Sequence, residues 1–211
     1  MSVLASIQPD SSTGFDTYIN EGSPTTNYGS SDRMVNSGTY DVRFLLKFDL
    51  TSLDTGTYYG NANLKLKAVA GDYPGSATWV AYSILSGNSG WTENGATWNT
   101  IDGVTSWAGS AGCATAGVDY SSSQIGSGTA QTIGTTTILI YGSTINDWVQ
   151  NPSNNNGLII LTTTAYTANI ASCEYVTSTF RPELEILSPE NVSRRTLFGL
   201  GTRSGSRSGR Q

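Results

Sequence analysis

The chain has 211 residues, of which 37% are hydrophobic and only 13% charged, with 24 glycines, no histidine and a formal net charge of −5. That length suffices for one large β domain, alone or with a tail, and the excess of Thr, Ser, Gly, Asn and Tyr favours strands and turns over helices. The absence of histidine excludes a histidine general base, a serine or cysteine protease dyad and a His-ligated zinc site.

In chain order, "MSVLASIQPDSSTG" has neither a basic start nor a long apolar run, so it is read as no secretory signal, and nothing later approaches a membrane span. "VRFLLKFDL" (42–50) alternates, with Val42, Phe44, Leu46 and Phe48 on one face and Arg43, Leu45 and Lys47 on the other. "NANLKLKAV" (61–69) sets Leu64 and Leu66 against Lys65 and Lys67. Further strands are predicted at "ATWVAYSIL" (77–85), "TTTILIY" (135–141), "GLIILTTT" (157–164) and "PELEIL" (182–187). The stretches "SLDTGTYYGN" and "QNPSNNNG" carry turn chemistry. "GSTINDWVQNP" predicts the one short helix, capped by Ser143 or Thr144, with Ile145, Trp148 and Val149 on its inner face and Pro152 past its end.

Short strands, polar loops and one short helix predict an all-β, antiparallel jelly-roll β-sandwich over residues 1–190. Residues 191–211 form a different object, an extended C-terminal tail rich in Gly, Ser and Arg. They hold five Arg and no acid, whereas residues 1–190 hold six Lys/Arg against all 16 Asp/Glu. An acidic body repels nucleic acid and anionic lipid, so any polyanion contact falls to the tail. Cys113 and Cys173 fit no metal-ligand spacing, leaving either a disulfide or two buried thiols.

Six segments in order, "DTYINEGSPTTNYGSSDRMVNSG", "RFLLKFDLTSL", "NANLKLKA", "GWTENGATWN", "INDWVQNPSNNNGLII" and "ASCEYVTSTFRPELEI", resemble the DNRLRE-type domain, related to a carbohydrate-binding module family, over about residues 14–187. The resemblance implies a jelly-roll sandwich and a non-catalytic module of secreted or surface polysaccharide-active proteins. The chain departs from the pattern at "SCEY", where Cys173 has no counterpart.

Ligand contact is assigned to aromatic rings, because the C–H face of a sugar matches an indole. Trp91 and Trp98 in "GWTENGATWNT" are read as loop anchors or a sugar platform, Trp107 as the better candidate for an exposed ring, and Trp148 as structural. Asp16, Asp32, Asp49, Glu93, Asp102 and Glu174 are read as capping or ion-pairing residues rather than a glycosidase pair. No cofactor is expected; Asp16 and Glu93 around a Ca²⁺ is the alternative, against which stands the lack of any dense D-x-D loop. The tail is read as a docking peptide, Leu197, Phe198 and Leu200 entering a partner groove while Arg194, Arg195 and Arg203 pair with an acidic rim. A solubilising end and a nucleic-acid contact are the other readings.

An extracellular-type binding module without a recognised signal is expected to be a bacteriophage virion protein, released by lysis. It would be displayed as a capsid decoration or a tail or fibre component, with capsid or tail proteins as partners and a glycan as possible outward ligand. A cellular carbohydrate-binding module beside a polysaccharide-degrading enzyme is the alternative, and an autonomous glycosidase or lyase the third.

Overall fold

The computed structural model describes residues 1–72, 77–130, 134–162 and 167–190. Eleven strands run as β1 (Val3–Ile7), β2 (Asp16–Asn20), β3 (Arg33–Asn36), β4 (Val42–Leu46), β5 (Ala62–Asp72), β6 (Thr78–Ser83), β7 (Gly126–Thr129), β8 (Gly134–Ile140), β9 (Leu158–Thr162), β10 (Thr167–Ala171) and β11 (Glu183–Leu187), with helix α1 (Gly142–Gln150) between β8 and β9. All pairings between these strands are antiparallel. The expected all-β sandwich is present, and the tail at 191–211 lies outside the described residues. No helix among the described residues is long and apolar enough to cross a membrane.

The sheet runs in the order β1-β11-β5-β8-β7-β6-β9-β4-β2 and curls into two layers. The back layer is β1-β11-β5-β8, and the second half of β5 also carries β10, which in turn pairs with β3. The front layer is β7-β6-β9-β4-β2. The layers meet at β7, where Gly126 pairs with both Ala81 and Ile140. A Cβ at Gly126 would collide with the Leu139 carbonyl and one at Gly128 with the Thr137 carbonyl, so glycine is what lets the strands close at this corner.

The alternation read from the sequence fixes the interior. Val42, Phe44, Leu46 and Phe48 of the front layer meet Leu64, Leu66, Ile138 and Ile186 of the back layer in one core, joined by Trp148 and Ile145 of α1. Lys65 faces out and bridges Glu183 and Glu185 on β11. The front layer is apolar on its other face as well: Ile19, Leu45 and Ile159 enter a second core with Ile84, Trp91, Ala96, Ile101, Trp107, Cys113 and Tyr120. Those latter residues belong to the excursion 84–125 between β6 and β7, a cap laid over the outside of the front layer.

Helix α1 begins differently from expectation. Its N-cap is Tyr141, with no side-chain cap bond, and neither Ser143 nor Thr144 serves. Instead the Gly142 N–H donates to Asn61 Oδ1 at 2.9 Å, so a distant side chain satisfies the exposed donor that a local hydroxyl would have taken. Asn146 ties the helix back by accepting from Tyr59 N–H and donating to the Tyr59 carbonyl.

Candidate functional site

The cap is built by short polar side chains that take backbone donors. Asp119 is fully buried and accepts from Asn88 Nδ2 and Gly109 N at Oδ1 and from Ser110 N and Thr115 N at Oδ2, all within 3.1 Å. Burial pushes its carboxyl up, but these bonds outweigh it and hold the group below the usual carboxylate range. Asp102 gathers Val104 N, Thr105 N and the Thr105 hydroxyl in the same way.

Within this frame the tryptophans point inward. Trp91 is 3% exposed, donates its indole N–H to the Asn156 carbonyl at 2.7 Å and meets Phe15 edge-on at 5.1 Å. Trp107, expected to be exposed, is 4% exposed and donates to the Thr97 carbonyl at 3.0 Å. That expectation is corrected: the small residues around Trp107 belong to a cap that buries its ring in the second core with Leu45 and Ile159, not to a loop that displays it. Trp98 alone of the three is half-buried, its ring beneath the Arg43 guanidinium at 5.3 Å. Arg43 also donates to the Gly112 and Cys113 carbonyls at 2.9 Å and pairs with Asp41. It thereby clasps a turn in which Cys113 has a positive φ of 52°.

A concave surface lies elsewhere. A cleft of about 420 Å³ opens between Thr13 and Phe15, the 47–55 loop and the end of α1, in the size range of about 300–1,000 Å³ usual for ligand pockets. Phe15, Phe48, Leu50, Leu53 and Trp148 give it an apolar floor, and Lys47, Asp49, Thr51, Thr55 and Asn155 supply charged, hydroxyl and amide groups at its rim. The Lys47 N–H donates to the Phe15 carbonyl, extending the β2–β4 ladder by one step and setting Phe15 beside Lys47. Asp49 accepts from Thr51 N–H, which holds it below the usual carboxylate range and so ionised at neutral pH. Of the residues that form the cleft, the sequence weighed Trp148 and Asp49 individually, as structural and capping side chains, and read Lys47, Phe48, Val149 and Pro152 only as parts of a strand and a helix. Phe15 was hidden because nothing local marks a lone Phe before a strand as a cleft wall.

A second feature is a ridge on the back layer. Arg33 lies over Tyr175 at 6.0 Å, Tyr175 stacks on Phe180 at 5.9 Å and Lys67 lies over Phe180 at 5.2 Å. Arg181 Nε donates to the Tyr175 carbonyl.

Of the six acids weighed from sequence, the structure brings three together. One carboxylate oxygen each of Asp16, Glu93 and Glu174 lies within 4.8 Å of the others. Asp16 is 2% exposed, and burial, reinforced by Glu174 and Glu93, raises its carboxyl to about 7 against bonds from the Cys173 thiol and the Cys173 N–H that lower it. Burial and Glu174 likewise raise Glu93 to about 7. None of the three lines the cleft. Cys113 and Cys173 are both buried and not joined, which resolves the alternative between disulfide and thiols. Arg194, Arg195, Leu197, Phe198, Leu200 and Arg203 lie outside the described residues.

A sandwich scaffold with a cleft floored by aromatic rings and rimmed by polar groups defines a β-sandwich binding module. More particularly, the chain belongs to carbohydrate-binding module family 96, whose sequence model matches residues 9–157. The matched stretch contains β2 to β8, the whole cap and α1, and with them every residue of the cleft. No match is found among curated proteins.

Proposed function

We propose that the chain is a non-catalytic polysaccharide-binding module that seats a short run of a glycan in the cleft beside Phe15, Lys47 and Asp49. The observation that carries this reading is that the cleft joins an apolar ring wall to hydroxyl, amide and charged groups within the stretch matched by the family. The ring wall takes the C–H face of a pyranose; the rim takes its hydroxyls. The ridge of Arg33, Tyr175, Phe180 and Lys67 is the competing surface, favoured if the glycan is anionic, since it gathers cations on an otherwise acidic body.

Affinity electrophoresis against neutral and anionic polysaccharides tests both. Phe15→Leu and Lys47→Ala are expected to weaken binding on the order of tenfold each, the scale of one lost stacking or polar contact, while Trp98→Ala leaves it unchanged. Retained binding in both cleft variants with loss in Lys67→Ala moves the site to the ridge. No reducing ends are expected to be released from any substrate that binds.

The narrower DNRLRE-type assignment, and display on a phage particle anchored by the tail, are carried by the sequence alone, through the ordered motifs and the arginine-rich composition of 191–211. In this reading the tail holds the module to a capsid or tail protein and the cleft faces outward at the virion surface. Particles assembled with a chain ending at Glu190 would lack the module; full incorporation of that chain rejects tail anchoring.

A further inference from the structure

Asp16 opens β2, Glu93 lies in the cap two residues after Trp91, and Glu174 lies in the turn after β10. We infer that these three carboxylates form a divalent-cation site and that its ion is Ca²⁺. Their oxygens lie within 4.8 Å of one another, and a Ca²⁺ with ligands at about 2.3–2.6 Å spans donors up to about 5 Å apart. The donor set is all oxygen, which selects a hard cation over zinc or copper.

The second observation is independent of the clustering. Among the described residues, Oδ1 of Asp16 and Oε2 of Glu174 are buried and meet no hydrogen-bond partner, although Asp16 is 2% exposed. The nearby backbone donors are committed to other oxygens, Cys173 N–H to Asp16 Oδ2 and Asp16 N–H to Glu93 Oε1, both at 2.9 Å. A buried carboxylate oxygen left without a donor is costly, and the charges bearing on Asp16 are those of two further acids. A cation at the centre satisfies the orphaned oxygens and the repulsion together. It also fastens three segments distant in sequence: β2, which follows Phe15 of the cleft, the cap, and the turn at 172–174.

The full chain, stripped with EDTA and free of polysaccharide, is titrated first with TbCl₃ and then with CaCl₂. Tb³⁺ luminescence excited through tryptophan is expected, Trp91 standing two residues from Glu93, with displacement by Ca²⁺. The thermal midpoint is expected to rise by about 5–10 °C at Ca²⁺ a hundredfold above Kd. Asp16→Asn and Glu174→Gln each weaken Ca²⁺ binding at least about tenfold, yet in EDTA melt no lower than the parent because each removes a like charge. Should either fail to fold, Glu93→Gln, at a half-buried position, replaces it. A parent with neither luminescence nor a midpoint shift overturns the site, as does an unchanged Ca²⁺ shift in the variants; a response to Mg²⁺ but not Ca²⁺ overturns the choice of ion. Because no glycan is present, these outcomes stand apart from any failure of sugar binding.

Discussion

Trp91 and Trp107 each direct an indole N–H to a backbone carbonyl and each bury the ring, so their energetic role lies in the second core. Replacing either with alanine is expected to destabilise the chain by about 3–5 kcal/mol, the cost of deleting a large buried aromatic. Trp98→Ala, from a half-buried position, is expected to cost under about 2 kcal/mol. Urea unfolding of the three variants checks the order, and a Trp91→Ala that unfolds with the parent would contradict the cap's packing. The carboxylates give a second expectation at this scale. Asp16 and Glu93 hold their protons to about 7 in the folded chain, against ordinary values of 3.8 and 4.5. Between those values and 7 the folded state binds more protons than the unfolded one, so stability in EDTA falls as pH rises through that window. Asp10, Asp49, Asp54, Asp102 and Asp119 shift the other way, and their contributions are already complete above about pH 5. The metal-free midpoint is therefore expected to be higher at about pH 5 than at about pH 8, and Asp16→Asn to flatten the difference. A midpoint that stays flat or climbs over the same interval would show that these carboxyls are not raised.

At the scale of elements, the cap is the part of the molecule that departs furthest from regular structure, and Asp119 is its centre. Asp119→Ala leaves the Gly109, Ser110 and Thr115 N–H groups without their acceptor and takes one of the two Asn88 amide bonds, at about 1–3 kcal/mol for each donor that water does not reach. A loss of at least about 3 kcal/mol is expected, together with early amide exchange across the cap while the sandwich strands stay protected. Simultaneous exchange of cap and sandwich would mean the two fold as one unit. What was legible in the sequence follows the same physics. β4 and β5 set apolar against polar side chains at a period of two; β4 lies within its predicted span, β5 runs on past 69 to Asp72, and β8 starts one residue before its predicted span. β7 reads GSGT and has no apolar residue, so its place between β6 and β8 is set by tertiary pairing and by backbone approach at its glycines. β3 and β10 are four and five residues long and gain their pairing from each other and from β5. The cap gave a misleading signal at Trp107, since a lone ring among Gly, Ser and Ala looks displayed until the apolar outer face of the front layer is known. The acidic site was divided among positions 16, 93 and 174, a spacing that only the fold closes.

For the whole molecule, the two termini of the sandwich close on each other: β1 pairs β11, and Ser188 N–H donates to the Ser2 carbonyl at 2.8 Å. Leu187 is 8% exposed, and the Gly60 N–H donates to its carbonyl, so core burial and strand pairing both reach the end of β11. None of the core residues of either cluster comes from beyond Leu187 among the described residues. A chain ending at Glu190 is therefore expected to unfold in one cooperative step with a midpoint within about 2 °C of the parent, because a change below about 0.5 kcal/mol moves a domain of this size by no more than that. Its charge changes more than its stability: the truncation removes five arginines and no acid, leaving a strongly acidic body. Retention on an anion-exchange column is expected to rise accordingly, and any affinity for nucleic acid to fall, since the remaining body carries six Lys/Arg against 16 Asp/Glu. Polysaccharide binding through the cleft is expected to be the same in the truncated and full chains. A midpoint lowered by more than about 5 °C on truncation would instead show that residues 191–211 pack on the sandwich, because a loss of that size in a domain of this length corresponds to more than about 1 kcal/mol of contact.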